Sequence, residues 1–137
     1  MAVIRGDVNH IRIGARSNVQ DGAVLHVSHD GPLLEGGAPL VVGDDVTIGH
    51  QVILHGCTIG NRCLIGMGAK VLDRAIVEDE VFIAAGALIA PGKRLESGWL
   101  YRGSPAVAAR KLTEQEIVNL RYSAEHYVRV KNHYLQG

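Results

Sequence analysis

The sequence predicts a three-sided parallel β-helix closed by a C-terminal α-helix, and three observations carry that prediction. Aliphatic residues recur every six positions in the trios Ile13, Val19, Leu25; Val42, Ile48, Leu54; Ile59, Ile65, Val71; and Val77, Ile83, Ile89, with no break in phase from Ile59 to Ile89. The next residue is repeatedly glycine (Gly14, Gly43, Gly49, Gly60, Gly66), and the fourth after the aliphatic is small or β-branched (Ser17, Ala23, Val46, Val52, Thr58, Cys63, Ala69, Ala75, Val81, Ala87). The 137-residue chain holds 17 glycines and a single Phe, which suits many tight turns around a narrow interior. A helix has no use for a strict period of six, because the aliphatic would wander around its surface. Short parallel strands joined by corners aim one aliphatic inward per side. Hexads taken in threes then make one coil, and coils stack with strands about 4.8 Å apart.

Taken in order, the repeat predicts a β-helix over residues 1–94, interrupted twice. Between Leu25 and Val42 the turn-rich stretch HVSHDGPLLEGGAPLV is longer than one corner, so residues 28–41 are expected as a loop extruded from the coil. Between Leu54 and Ile59 one residue is missing, around Gly56. Residues 95–112, with Gly98, Gly103 and Pro105, read as an irregular connector. The C-terminal element, 113–137, opens on TEQE, which makes Thr113 an N-cap and Glu116 its capping-box partner. Ile117, Leu120, Ala124, Val128 and Leu135 follow at helical spacing, which predicts a helix over 114–134 packed along the prism, with Tyr122 and Tyr127 near its buried face.

Composition narrows the function. A chain of this length supports one domain, because about 70% of its unfolded surface can be buried. Fourteen basic and fourteen acidic residues cancel, and no Lys/Arg cluster is dense enough to track a phosphate backbone, so nucleic acid is not an expected partner. The N-terminal MAVIRGDVNH lacks a basic region followed by an apolar core, and no apolar run approaches ~18 residues. Neither export nor membrane insertion is expected, and the predicted location is cytoplasmic. Cys57 and Cys63 lack a C-x-x-C spacing and read as small apolar residues in or near the core.

The histidines become informative once placed on the frame. His26 follows Leu25 and His55 follows Leu54, each the third aliphatic of its coil, so both rings project from the same side one rung apart. Nitrogens carried at a rung spacing of about 4.8 Å can converge on one ion at about 2.0 to 2.1 Å each. His50 follows Ile48 by two and lies near a corner on another side. A third ligand from His50 therefore calls for a neighbouring chain in a threefold assembly with sites between subunits. His10, His126 and His133 have no such register and read as surface residues.

The stretches RGDVNHIRIGARSNVQDGAVLH, VTIGHQVILHGCTIGNRCLIGMGAKVLD and GSPAVAAR resemble the gamma-class carbonic anhydrase family over nearly the whole chain. The resemblance implies a left-handed β-helix, whereas general rules for parallel crossovers favour the right-handed form. It also implies a homotrimer with Zn2+ or Fe2+ at each subunit interface, held by His26 and His55 of one protomer and His50 of the next. By the same resemblance Arg5 and Asp7 of RGD are interface and bicarbonate-side residues, and Gln20 and Asp21 are polar groups beside the metal-bound water; for Arg5, Asp7 and Asp21 an ion-pair network closing the trimer is the alternative. Gln20 orients a metal-held oxygen, while Asn18 is a candidate to satisfy corner backbone groups. The implied reaction is hydration of carbon dioxide to bicarbonate by hydroxide that the metal supplies at neutral pH. Where the family carries glutamates after the first ligand, this sequence has His29 and Asp30, with Glu35 farther along, so the proton shuttle is His29, Asp30 or neither. Weak or absent turnover in this branch is also implied, as are a further strand and coil ahead of RGD, without which the first coil is an uncapped edge. Two rival functions are a hexapeptide-repeat acyltransferase using one interface histidine as general base, and a noncatalytic metal-binding trimeric scaffold. The former needs no three histidines in register, and no coils beyond residue 94 are expected to hold a coenzyme A arm.

Overall fold

Each hexad folds as a strand of two or three residues followed by a corner, and the computed structural model, which describes residues 1–137, winds them into five coils of a left-handed parallel β-helix. The first coil holds β1 (Val3–Ile4), β2 (Ile11–Ile13) and β3 (Asn18–Val19); the second β4 (Val24–His26), β5 (Leu40–Val42) and β6 (Thr47–Ile48). The third holds β7 (Ile53–His55), β8 (Thr58–Ile59) and β9 (Leu64–Ile65); the fourth β10 (Lys70–Val71), β11 (Ile76–Val77) and β12 (Phe82–Ile83). The fifth holds β13 (Leu88–Ile89), β14 (Arg94–Leu95) and β15 (Trp99–Gly103), after which β16 (Ala106–Lys111) leads to α1 (Glu114–Leu135). Corresponding strands pair in parallel, giving one sheet β1-β4-β7-β10-β13, a second β2-β5-β8-β11-β14, and a third β3-β6-β9-β12-β15 with β16 antiparallel on β15.

The predicted inward positions form the core. Leu25, Leu54 and Val71 are wholly buried in the first sheet, as are Ile48, Ile65 and Ile83 in the third. Ile13 departs from this at 37% exposed, because only one neighbouring rung covers the first coil. At the corners, glycine lets the backbone of the next rung pass: a Cβ on Gly66 would stand 2.5 Å from the amide nitrogen of Ala85. The residue missing near Gly56 shifts the corner by one. Thr58 is therefore an exposed strand residue, and Cys57 takes the buried place expected of it.

Two boundaries differ from expectation. The coils do not end at residue 94: Arg94–Leu95 pairs with β11 and Trp99–Gly103 with β12, so most of the expected connector is sheet. Gly98, expected to break regularity, instead occupies a corner at φ +83°, as Gly92 does one corner earlier at φ +73°. The extruded loop is also shorter than 28–41. Ser28 bridges Ala38 in antiparallel fashion, and by Leu40 the chain is back in the second sheet opposite Ile11. At the other end of the first sheet, β1 is an edge strand with Val3 and Ile4 exposed at 48% and 52%.

The helix begins as the capping box dictates. Thr113 accepts from the Glu116 amide and Glu116 accepts from the Thr113 amide. Leu120 and Ala124 are buried against the third sheet, where the Thr47 hydroxyl donates to Ser123 at 3.1 Å. Leu135, expected on the buried face, is 76% exposed because the helix outlasts the sheet beneath it. No helix is long and apolar enough to cross a membrane.

Candidate functional site

Parallel pairing of β4 with β7 aligns Leu25 with Leu54 and His26 with His55. With the leucines inward, both imidazoles stand outside the prism, their centroids 5.0 Å apart and their planes at 71°. Nδ1 of His26 faces Nε2 of His55 at 3.1 Å. The outer nitrogens are each held by a carboxylate. His26 Nε2 lies 2.8 Å from Asp7 Oδ1, and His55 Nδ1 lies 2.6 Å from Asp73 Oδ1. With each carboxylate accepting from an outer nitrogen, neutral rings would leave a lone pair on each facing nitrogen, an arrangement satisfied by a proton shared along the contact or by a cation held between the rings. Two acceptors at contact distance repel unless something positive lies between them. Ligands of one tetrahedral ion at 2.0–2.1 Å would stand about 3.3–3.4 Å apart, close to the separation found. The donor set therefore fits a borderline metal such as Zn2+ or Fe2+.

No group of three His, Cys, Asp or Glu side chains within the chain is arranged to hold a metal. His50, in the corner after β6, lies apart, half-exposed, with Nδ1 3.7 Å from Asp21 Oδ1. It shares a groove with Gln20, Met67, Phe82, Ser123 and Tyr127, between the third sheet and α1. In this groove the Gln20 amide donates to Asn18 Oδ1 at 3.1 Å, Asn18 reaches Thr47, and Thr47 reaches Ser123 of the helix. Asn18 thus serves this side-chain rail rather than the corner backbone. The chain accordingly carries two separate polar clusters: Arg5, Asp7, His26, His55 and Asp73 along the first sheet, and Gln20, Asp21 and His50 at the corner after the third.

Electrostatics follow from the contacts. Arg5 pairs with Asp7, and the His26 hydrogen bond first, then the Arg5 guanidinium, hold the Asp7 carboxyl below its usual range. Burial pushes both thiols, Cys57 and Cys63, up to about 12, so neither supplies a thiolate at neutral pH. On the loop, Asp30 accepts from the Gly36 amide at 2.8 Å, which ties it to loop closure, while His29 is exposed beside a cleft that also touches Ser28, Leu33 and Asp73.

Asp73 was not among the residues singled out from the sequence. The signal was present in VLD, residues 71–73: Val71 is the inward residue of the rung beyond His55, and a carboxylate two positions later sits beside the His55 ring.

The hexapeptide family described as "Bacterial transferase hexapeptide (six repeats)" matches residues 39–72 and 56–91. Protein YrdA of Escherichia coli (strain K12) is 57% identical over 135 residues, covering 98% of this chain and 73% of YrdA. Gamma carbonic anhydrase 2, mitochondrial, of Arabidopsis thaliana is 42% identical over 129 residues, covering 92% of this chain and 45% of the plant protein. The crystal structure of a hexapeptide transferase family protein from Anaplasma phagocytophilum aligns with a TM-score of 0.87 at 44% identity, covering 97% of this chain and 74% of that one.

Proposed function

Because the chain belongs to the hexapeptide-repeat family that includes the gamma-class carbonic anhydrases, we propose that it is a homotrimeric, metal-dependent hydratase that converts carbon dioxide to bicarbonate. The observation that carries this reading is the His26–His55 pair, with ring nitrogens facing at 3.1 Å and a carboxylate behind each ring. In the proposed trimer His26 through Nδ1 and His55 through Nε2 hold one side of the ion, and His50 of the adjacent protomer completes the set. When bound, Zn2+ or Fe2+ held by neutral imidazoles keeps its full charge and an open position, and supplies hydroxide at neutral pH.

The chain's other residues position and move protons around that centre. Asp7 fixes the tautomer of His26, and Arg5 keeps Asp7 anionic while presenting a guanidinium toward the product anion. Gln20, its amide N–H occupied by Asn18, keeps its carbonyl free to accept a hydrogen bond from the attacking oxygen. Asp21 steadies His50 at the opposite half-site. His29, exposed and next to the Asp73 side of the site, is the candidate to carry the proton to solvent, since Asp30 is engaged in closing its own loop.

The test is complementation. His26→Ala and His50→Ala protomers each abolish metal binding as homotrimers. Refolded together at equal ratio they regain about one quarter of the wild-type metal, because each interface needs an intact His26 on one side and an intact His50 on the other. Metal retained by either homotrimer, or no recovery on mixing, refutes the shared site. Stopped-flow hydration of carbon dioxide by zinc- and iron-loaded wild type then separates a hydratase from a metal-stabilised scaffold. Transfer of an acyl group from acyl-coenzyme A to a hydroxyl or amine acceptor by a metal-free trimer, with release of free coenzyme A, would instead establish the acyltransferase reading.

A further inference from the structure

We infer that Asp73 is the positioning residue for His55 and that, through Ser28, it ties the extruded loop to the metal centre; this rests on the reading of His55 as a ligand. Both oxygens of the carboxylate are engaged at short range, Oδ1 with His55 Nδ1 at 2.6 Å and Oδ2 with the Ser28 hydroxyl at 2.6 Å. The three residues come from separate parts of the fold: His55 ends β7, Asp73 follows β10 on the next rung, and Ser28 opens the loop. A carboxylate bridged in this way cannot rotate to release the imidazole without also breaking the Ser28 bond. It therefore selects one tautomer of His55 and one orientation of its ring.

The surroundings support the same role. Gly56, next to His55, has φ +55°, and a Cβ there would come within 2.7 Å of Asp73 Oδ1, so the backbone is shaped to let the carboxylate reach the ring. The next residue, Arg74, donates to the backbone carbonyls of Glu35 and Gly37 on the far limb of the loop. Asp73 and Arg74 together hold both limbs, Asp73 at Ser28 and Arg74 at Glu35 and Gly37. The loop that carries His29 and Asp30 is thus anchored, at Ser28, to the residue that orients a metal ligand.

Zinc affinity, measured on metal-stripped trimers by competition with a colorimetric chelator, tests the assignment. Asp73→Ala is expected to weaken zinc binding about 10- to 100-fold. Asp73→Asn restores part of that loss, because its amide oxygen still accepts from Nδ1–H and its amide N–H reaches the Ser28 oxygen. Ser28→Ala, which leaves Oδ1 to His55, weakens binding less than Asp73→Ala. Nitrogen-15 spectra of the metal-free wild type, labelled at histidine, are expected to show His55 protonated at Nδ1, and a tautomer mixture in Asp73→Ala. A purely structural role would lower thermal stability without moving the tautomer. If Asp73→Ala fails to assemble, Asp73→Asn and the wild-type spectrum decide. Equal zinc affinity in wild type and the Asp73 variants, or a wild-type His55 unprotonated at Nδ1, overturns the inference alone. A wild-type trimer that binds no zinc overturns the ligand reading and this inference with it.

Discussion

Replacing Gly56 by alanine separates two costs that are usually confounded. Gly56 and Gly98 both have positive φ, +55° and +83°, so an alanine at either site pays the left-handed backbone penalty of about 1–2 kcal/mol. At Gly98 a Cβ meets nothing within 4 Å. At Gly56 it would stand 2.7 Å from Ala38 Cβ and 2.7 Å from Asp73 Oδ1. Carbon atoms in contact prefer about 3.5–4.0 Å, so Ala38 would have to retreat by roughly 1 Å. It has nowhere to go: it is 1% exposed and pinned by its bridge to Ser28, while the Asp73 oxygen is held by His55. Overpacking of this kind adds about 1–3 kcal/mol, which puts Gly56→Ala at about 2–5 kcal/mol against about 1–2 for Gly98→Ala. Urea denaturation of chelator-treated protein at one fixed chain concentration reads the difference. On the proposed reading of His55 as a metal ligand, the Gly56 variant should also bind zinc more weakly, because relief of the overlap displaces Asp73. Equal midpoints for the two variants would refute the view that the corner is shaped around that carboxylate.

The helix start should show a one-sided acid response. Arg110, then the Thr113 amide, depress the Glu116 carboxyl from 4.5 to about 2, so its contribution is fully present above about pH 4.5 and is lost as pH falls toward 2. Amide exchange in the first turn of α1 should accelerate over that window in wild type and show no such step in Glu116→Gln; an identical acid profile in both would discard the assignment. The pair is exposed, so the effect should be local rather than global. A third expectation concerns the thiols. Cys57 and Cys63, 1% and 0% exposed and raised to about 12, should not react with a thiol reagent at neutral pH until the protein is denatured. Stoichiometric labelling of the native protein would contradict the packing of the corners.

The repeat made most of the fold legible because its physics is local and periodic. Once Leu25 and Leu54 point inward and their coils are adjacent, His26 and His55 have no choice but to stand in register. The same counting separated His50 from that pair and placed Thr113 and Glu116 at the start of a helix. It fails where glycine carries two meanings: Gly98 reads as a breaker of the expected connector over residues 95–112 but is a corner of a continuing prism. Other features depended on contacts no period encodes. The Ser28–Asp73–His55 bridge joins residues 45 and 18 apart, and the rail from Gln20 through Thr47 to Ser123 crosses 76 positions in its last step. Such bonds depend on loop paths, rotamers and how the helix lies on the third sheet, which are settled only when the whole chain has packed. By itself the sequence determined which residues face inward and which rungs are neighbours, because both follow from spacing along the chain. Only the tertiary structure decided which carboxylates brace the imidazoles, because that depends on side-chain reach across rungs.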